Sequence, residues 1–242
     1  MPDQPLDLLA IVAHPDDAEL ICGGTLARTA ARGKRVGILD LTRGESGSRG
    51  SADQRSHEAE EAASVLGIAT RRTANLPDAG LTDDDASRMA VVRLLRELRP
   101  GTLILHPETY RHPDHGAAHR LGRHAAFLSG LTRIDTGQPP HRPEKVLFAT
   151  AFREDAPHPT FVVDISAEIE IKMRALSCYA SQFEGKTWAG EVFPGGDRPL
   201  LEQVRMHAAR YGSLIRTAYG EPFWTVETLA VDDVTTLGVR SL

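Results

Sequence analysis

The 242-residue chain carries 28 Lys+Arg against 33 Asp+Glu, a formal net charge of −5, which argues against a general nucleic-acid binder. A composition of 41% hydrophobic and 25% charged residues excludes global disorder, and no apolar run reaches the roughly 18–20 residues of a membrane span. Met1 to Leu9, with Asp3 and Asp7, lacks the basic region of a signal peptide, and Cys22 and Cys178 form no C-x-x-C pair, so the expectation is one cytoplasmic domain over residues 1–242.

Leu6 to Ala13 is a short apolar run, as expected of a strand buried on both faces. His14-Pro15-Asp16-Asp17 follows, and then Leu20, Ile21, Gly24, Ala27 and Ala31 recur at helical spacing up to a stop at Gly33. Val36 to Leu41 reads as a second strand. After the glycines at 44, 47 and 50, Asp53 is expected to cap a helix that runs to Leu66 and closes at Gly67. Arg71 to Asn75 is a third strand candidate. Thr82 is expected to cap a helix with Asp83, Asp84 and Asp85 in its first turn, where acidic groups suit the dipole. Pro100-Gly101 ends that helix, and Thr102 to Leu105 is the next strand. This alternation predicts an α/β fold, a Rossmann-like, mostly parallel sheet with helices on both faces.

The part from about 137 to 242 is less regular. Gly116 to Ser129 just before it is expected to be helical, and Val146 to Phe152 and Phe161 to Ile165 are strands. Ser166 is expected to cap a helix reaching Ala180, residues 185–198 form a loop or lid candidate rich in glycine, Leu200 to Leu214 is helical, and Trp224 to Leu229 is a short strand.

The chemistry-bearing residues sit just past strand ends, where open α/β sheets bind ligands. His14, Asp16 and Asp17 follow the first strand; His112, Asp114 and His115 follow the strand at 102–105. Two histidines and a carboxylate make the donor set of an open zinc site. The same set also suits the facial triad of a non-haem Fe(II) enzyme, and a non-catalytic sugar- or nucleotide-binding module is a further alternative. Asp114 either orients an imidazole or caps the following helix. His57, His119, His124, His141, His158 and His207 read as surface or core residues. The Gly44 to Gly50 loop, with Arg43, Arg49 and Arg55, suits a carboxylate-bearing ligand.

Ala13-His14-Pro15-Asp16-Asp17-Ala18-Glu19 resembles the A-H-P-D-D-x-E signature of the PIG-L-like (LmbE-like) zinc-dependent N-deacetylases, and Arg111-His112-Pro113-Asp114-His115 resembles their H-P-D-H motif. Thr42 to Glu45 and Tyr179 to Phe183 extend the likeness over most of the chain. Within the family, Gly47 to Gly67 and the Ser181-Gln182-Phe183 element are most similar to the bacillithiol-pathway deacetylases acting on N-acetylglucosaminyl-malate. Inositol conjugates and chitooligosaccharides are the alternative substrates. The resemblance implies His14, Asp17 and His115 as ligands of one Zn2+ per subunit, with Fe2+, Co2+ or Mn2+ able to use the same donors. It implies Asp16 as general base, a protonated His112 stabilising the tetrahedral intermediate, and Arg55 contacting substrate. Arg111 and Gln182 are further expected substrate contacts, and Glu19 is expected to support the first helical turn. The partner implied is a small acetylated amino-sugar glycoside, with neither nucleic acid nor membrane, and the assembly implied is a homo-oligomer, a hexamer in the bacillithiol-type enzymes.

Overall fold

A computed structural model describes residues 4–108, 110–150, 152, 156–187 and 197–239. Among the described residues, seven strands form one sheet: β1 (Leu8–Val12), β2 (Val36–Asp40), β3 (Thr70–Thr73), β4 (Thr102–Leu105), β5 (Lys145–Ala149), β6 (Phe161–Asp164) and β7 (Gly220–Trp224). Their order is β3-β2-β1-β4-β5-β7-β6. Strands β1 to β5 pair in parallel, and β7 is antiparallel to both β5 and β6. All five residues of β1 are buried, as a strand covered on both faces requires.

The helices are α1 (Asp17–Ala31), α2 (Ala52–Leu66), α3 (Asp85–Leu98), α4 (Pro113–Ser129), α5 (Ile169–Ser177), α6 (Ala180–Phe183) and α7 (Leu200–Leu214). Leu26, Ala62, Leu176 and Val204 belong to one buried cluster, which brings α1, α2, α5 and α7 onto one face of the sheet. Val92 and Leu95 of α3 and Ala118 and Leu121 of α4 join Leu9, Ile11 and Leu103 in a second cluster on the other face. The chain leaves β1 toward β2 and β3 and then returns to place β4 on the opposite side of β1. Loops after β1 and β4 therefore splay apart and leave a crevice at their C-terminal ends.

Several element ends differ from the sequence reading. Ser51, not Asp53, caps α2, its side chain accepting the Gln54 N–H. Asp84, not Thr82, caps α3 by accepting from Ser87 N, while the Thr82 hydroxyl donates to Asp84. Helix α4 starts at Pro113, three residues before the expected Gly116, with His112 as its cap. Ser166 caps nothing; its hydroxyl donates to Asp164 and accepts from Tyr219 N, and the expected helix up to Ala180 is split into α5 and α6. The last strand is 220–224 rather than 224–229, because Pro222, which lacks an N–H, reads as a strand breaker. Of the loop or lid candidate at 185–198, residues 188–196 lie outside the described residues.

Candidate active site

Strand β1 ends at Val12, and two residues later His14 opens a tight turn. Asp16 in this turn has φ 109° and caps α1 without a side-chain hydrogen bond. A non-glycine residue in the left-handed region is strained and persists where its surroundings enforce it. Here the strain leaves the Asp16 carboxylate at the cavity rather than on the helix N-terminus.

Asp17 is the first residue of α1 and is buried. Its Oδ2 accepts the His14 backbone N–H at 2.8 Å and stands 3.3 Å from His14 Nδ1; its Oδ1 stands 3.2 Å from His115 Nε2. Two donors held at about 2.0–2.2 Å by one tetrahedral ion lie about 3.3–3.5 Å apart. Each pair has a spacing that suits shared coordination. The expected trio His14, Asp17 and His115 is not itself one of the three-donor groups within 4.8 Å among the described residues; those groups include His14 with Asp78 and Asp114. Donor atoms of His14, His112 and His115 also lie within 4.8 Å of one another, as do those of Asp17, His106 and His115. Among the described residues, His115 Nδ1 is buried without a hydrogen-bond partner. Nitrogen and carboxylate donors in a buried cluster fit a borderline divalent ion, so the residues present fit a metal.

The surroundings tune each group. Burial pushes the Asp16 carboxyl up to about 7, opposed by the Arg55 charge and reinforced by that of Asp17. Burial would raise Asp17 too, but the charge of His115 and hydrogen bonds with His115 and His14 hold it well below the usual carboxylate range. Burial disfavours the His14 cation, yet Asp114, Asp17 and Asp78 outweigh it and carry His14 well above the usual imidazole range. Desolvation lowers both His112 and His115, helped in His112 by the charges of His14 and His115.

Asp114 resolves the alternative left open by the sequence. His112 Nδ1, not Asp114, caps α4 by accepting the Asp114 N–H at 3.2 Å. The Asp114 carboxylate accepts Ala79 N and Leu81 N and lies 3.3 Å from His14 Nε2. It therefore ties the 79–81 loop to the site and orients an imidazole. With Nδ1 accepting the Asp114 N–H, the proton of a neutral His112 lies on Nε2, and desolvation lowers the His112 pKa from the usual imidazole value.

Arg55 is 5% exposed. Its guanidinium donates to Gly44 O at 3.1 Å and Pro15 O at 2.6 Å and lies 3.4 Å from Asp16 Oδ2. Gly44 has φ 65°, and a Cβ there would collide with this guanidinium. Arg55 thus clamps the glycine loop to the His14–Asp17 turn while also lining the cavity. Gln182 lines the cavity and donates to Arg49 O at 2.9 Å. Arg111 is exposed and outside the cavity lining. Glu19 supports more than its own helical turn: it accepts from Arg71 at 2.6 Å and from the Tyr179 hydroxyl at 3.1 Å, and Arg71 also grips Asp40.

Three residues at the site escaped the sequence reading. His106, fully buried, follows β4 directly, accepts the Ala13 N–H at 3.0 Å, and stacks on His115 with ring centroids 4.4 Å apart. Its position one residue past a strand was the available signal. Asp78 approaches His14 Nε2 at 3.0 Å and accepts Ser46 N; the His14 hydrogen bond and that of Ser46 outweigh burial and hold its carboxyl at about 2. Tyr110 meets the His106 and His115 rings edge-on. The cavity over these groups measures about 300 Å³ and is walled by Leu20, Ile21, Phe152, Phe183 and Lys186.

The profile of PIG-L: GlcNAc-PI de-N-acetylase matches residues 9–126. A diacetylchitobiose deacetylase of Thermococcus kodakarensis is 30% identical over 230 residues, 88% of this chain and 80% of the relative. The chain belongs to the PIG-L family. A second relative, the 1D-myo-inositol 2-acetamido-2-deoxy-alpha-D-glucopyranoside deacetylase of Rhodococcus jostii, is 29% identical over 88% of this chain and 93% of its own. The conserved protein TT1542 from Thermus thermophilus has the same fold, with a TM-score of 0.83 at 40% identity over 94% of this chain and 98% of that one. The PIG-L profile spans both clusters of site residues, from β1 through most of α4.

Proposed function

We propose that this chain removes the N-acetyl group from an N-acetylglucosaminyl conjugate by metal-assisted amide hydrolysis, with N-acetylglucosaminyl-malate as the conjugate and zinc as the metal, in the cytoplasm. The observation that carries the reaction class is Asp16, a strained, desolvated carboxylate beside a His/Asp donor set and left out of helix capping. The Fe(II) and non-catalytic alternatives leave such a group without a task. Free Cys22 and Cys178 fit a reducing compartment.

His14, Asp17 and His115 would hold the ion, which would supply a nucleophilic water at neutral pH and Lewis acidity toward the acetyl carbonyl. Asp16 would accept the proton of the attacking water and return it to the leaving amine, a task suited to a pKa near the working pH. Arg55 faces Asp16 and favours its ionised form. His112 presents its Nε2 proton to the developing oxyanion. Asp114 and Asp78 hold His14 from its far nitrogen.

N-acetylated amino sugars are the substrates named for the relatives. The malate reading draws support from Lys186, a cation in the cavity wall, and from the basic Arg43–Arg49 loop. The relatives support an inositol or chitobiose conjugate with equal weight. Exposed Phe127, Val226, Leu229 and Val234 support the homo-oligomer, with a hexamer tested by light scattering. Primary-amine release from the malyl, inositol and chitobiose substrates, with zinc and with a chelator control, tests the whole reading. The malyl conjugate should show the highest kcat/KM, and the chelator should abolish release. A preference for another conjugate reassigns the aglycone, and no release from metal-bound protein overturns the deacetylase reading.

A further inference from the structure

Helix α1 breaks in its middle, where Cys22 has φ −148° and ψ 15°. A break frees carbonyls of the turn before it and N–H groups of the turn after it, and buried groups of this kind need partners. Two side chains distant in sequence supply them. Lys172 Nζ, on α5, donates to Leu20 O at 2.7 Å. Glu221, on β7, accepts Gly24 N at 2.9 Å and Thr25 N at 2.6 Å. The two charges meet at 2.6 Å, and each residue is 2% exposed. A cation thus closes the C-terminal end of the first helical segment and an anion closes the N-terminal end of the second, each where the helix dipole favours it.

The first segment, Asp17 to Ile21, is barely more than one turn, too short to keep its direction unaided. Yet it carries Asp17, follows directly on Asp16, and presents Leu20 and Ile21 to the cavity. Gly24 packs so close to Ile165 that a Cβ would lie 2.7 Å from its Cδ1, which holds the second segment against the β6–α5 connection. The angle between the segments is set where Lys172 and Glu221 join them. Neither residue lines the main cavity.

We propose that the buried Lys172–Glu221 pair is a positioning pair for the active site: it holds the break in α1 and so aims the short segment bearing Asp17 and Asp16. The activity arm of this inference rests on the deacetylase reading; the metal-binding arm does not.

The test is Lys172→Met combined with Glu221→Gln, which removes both charges and strands neither. On folded protein, checked by circular dichroism, cobalt(II) affinity is measured by chelator competition and the ligand geometry by the cobalt absorption bands. We expect affinity to fall about 10–100-fold, the range for groups that orient metal ligands, with altered bands and a lowered kcat at similar KM. If the double variant does not fold, Glu221→Asp replaces it, since it keeps both charges and withdraws the carboxylate by one methylene. A lower Tm with wild-type cobalt affinity and bands would mean the pair only stabilises the fold, and overturns the inference. Wild-type protein that binds cobalt but releases no amine would count against the deacetylase reading, while the affinity comparison still decides the role of the pair.

Discussion

Asp16 concentrates the chemistry of the site in one strained residue. It must be ionised to accept a proton, and burial raises its carboxyl to about 7. Activity should therefore rise with pH along an acid limb no higher than about 7, because a bound dication beside it can only favour ionisation. Asp16→Asn should keep the metal and lose about 10²–10⁴-fold in kcat, the range for a general base; a variant with metal bound and near-normal kcat removes Asp16 from that role. For His112→Ala we expect a loss of about 10²–10³-fold in kcat, as for one oxyanion donor, measured at a pH where Asp16 is ionised. Arg55 is a different case. A sequence reading makes it a substrate contact, so its loss should raise KM for a malyl substrate far more than for plain N-acetylglucosamine. The structure engages its guanidinium with Gly44 O, Pro15 O and Asp16. Because Arg55 favours ionised Asp16, Arg55→Ala should move the acid limb to higher pH and impair malyl and plain N-acetylglucosaminyl substrates alike. An unmoved limb with a malyl-specific KM effect would restore the substrate-contact role.

At the scale of elements, the site is a meeting of three short starts: the His14–Asp17 turn, the 78–81 loop and the first turn of α4. Asp114 ties all three, through Ala79 N, Leu81 N and His14 Nε2. Asp114→Ala leaves two N–H groups and an imidazole without that carboxylate. We expect weaker metal binding together with faster hydrogen exchange at Ala79 and Leu81; unchanged exchange at both amides would show that the loop is held by other groups. The element starts also mark where the sequence was legible. The apolar runs at 8–12, 36–40 and 102–105 could be read because strands buried on both faces show few polar residues. Caps could not be read as reliably. Asp53, Thr82 and Ser166 are all sound cap residues, and the choice of Ser51, Asp84 and His112 depended on where the preceding backbone entered the helix.

For the whole molecule, metal and protons compete for one cluster. Without a metal, His14 is held well above the usual imidazole range by Asp114, Asp17 and Asp78 against the penalty of burial. A folded-state pKa raised above the unfolded value adds stability that is complete below about 6.5 and is lost as pH rises through the folded pKa. Asp78, held at about 2, adds stability above its unfolded pKa, near 4, that is lost as pH falls toward 2. A metal must displace the His14 proton, so its affinity should fall on acidification, with proton release measurable by calorimetry in buffers of different ionisation enthalpy. The Tm gain from metal should shrink in parallel, since stabilisation follows ligand concentration over Kd. Metal affinity independent of pH between about 5 and 8 would exclude His14 as a ligand.

The sequence by itself determined the α/β alternation, the positions of the two His/Asp clusters past strand ends, and the likeness to the PIG-L enzymes, because these depend on hydrophobic period and local motif. Only the tertiary structure decided that β4 returns beside β1, which brings residues about 100 apart to one crevice and adds His106 and Asp78 to the site. It also decided that Arg55 holds backbone and Asp16, that Asp114 orients His14, and that a charge pair from α5 and β7 sits in the break of α1. The physical reason is the same in each case. A polar side chain takes its role from the partners that burial leaves within reach, and those partners lie far away along the chain.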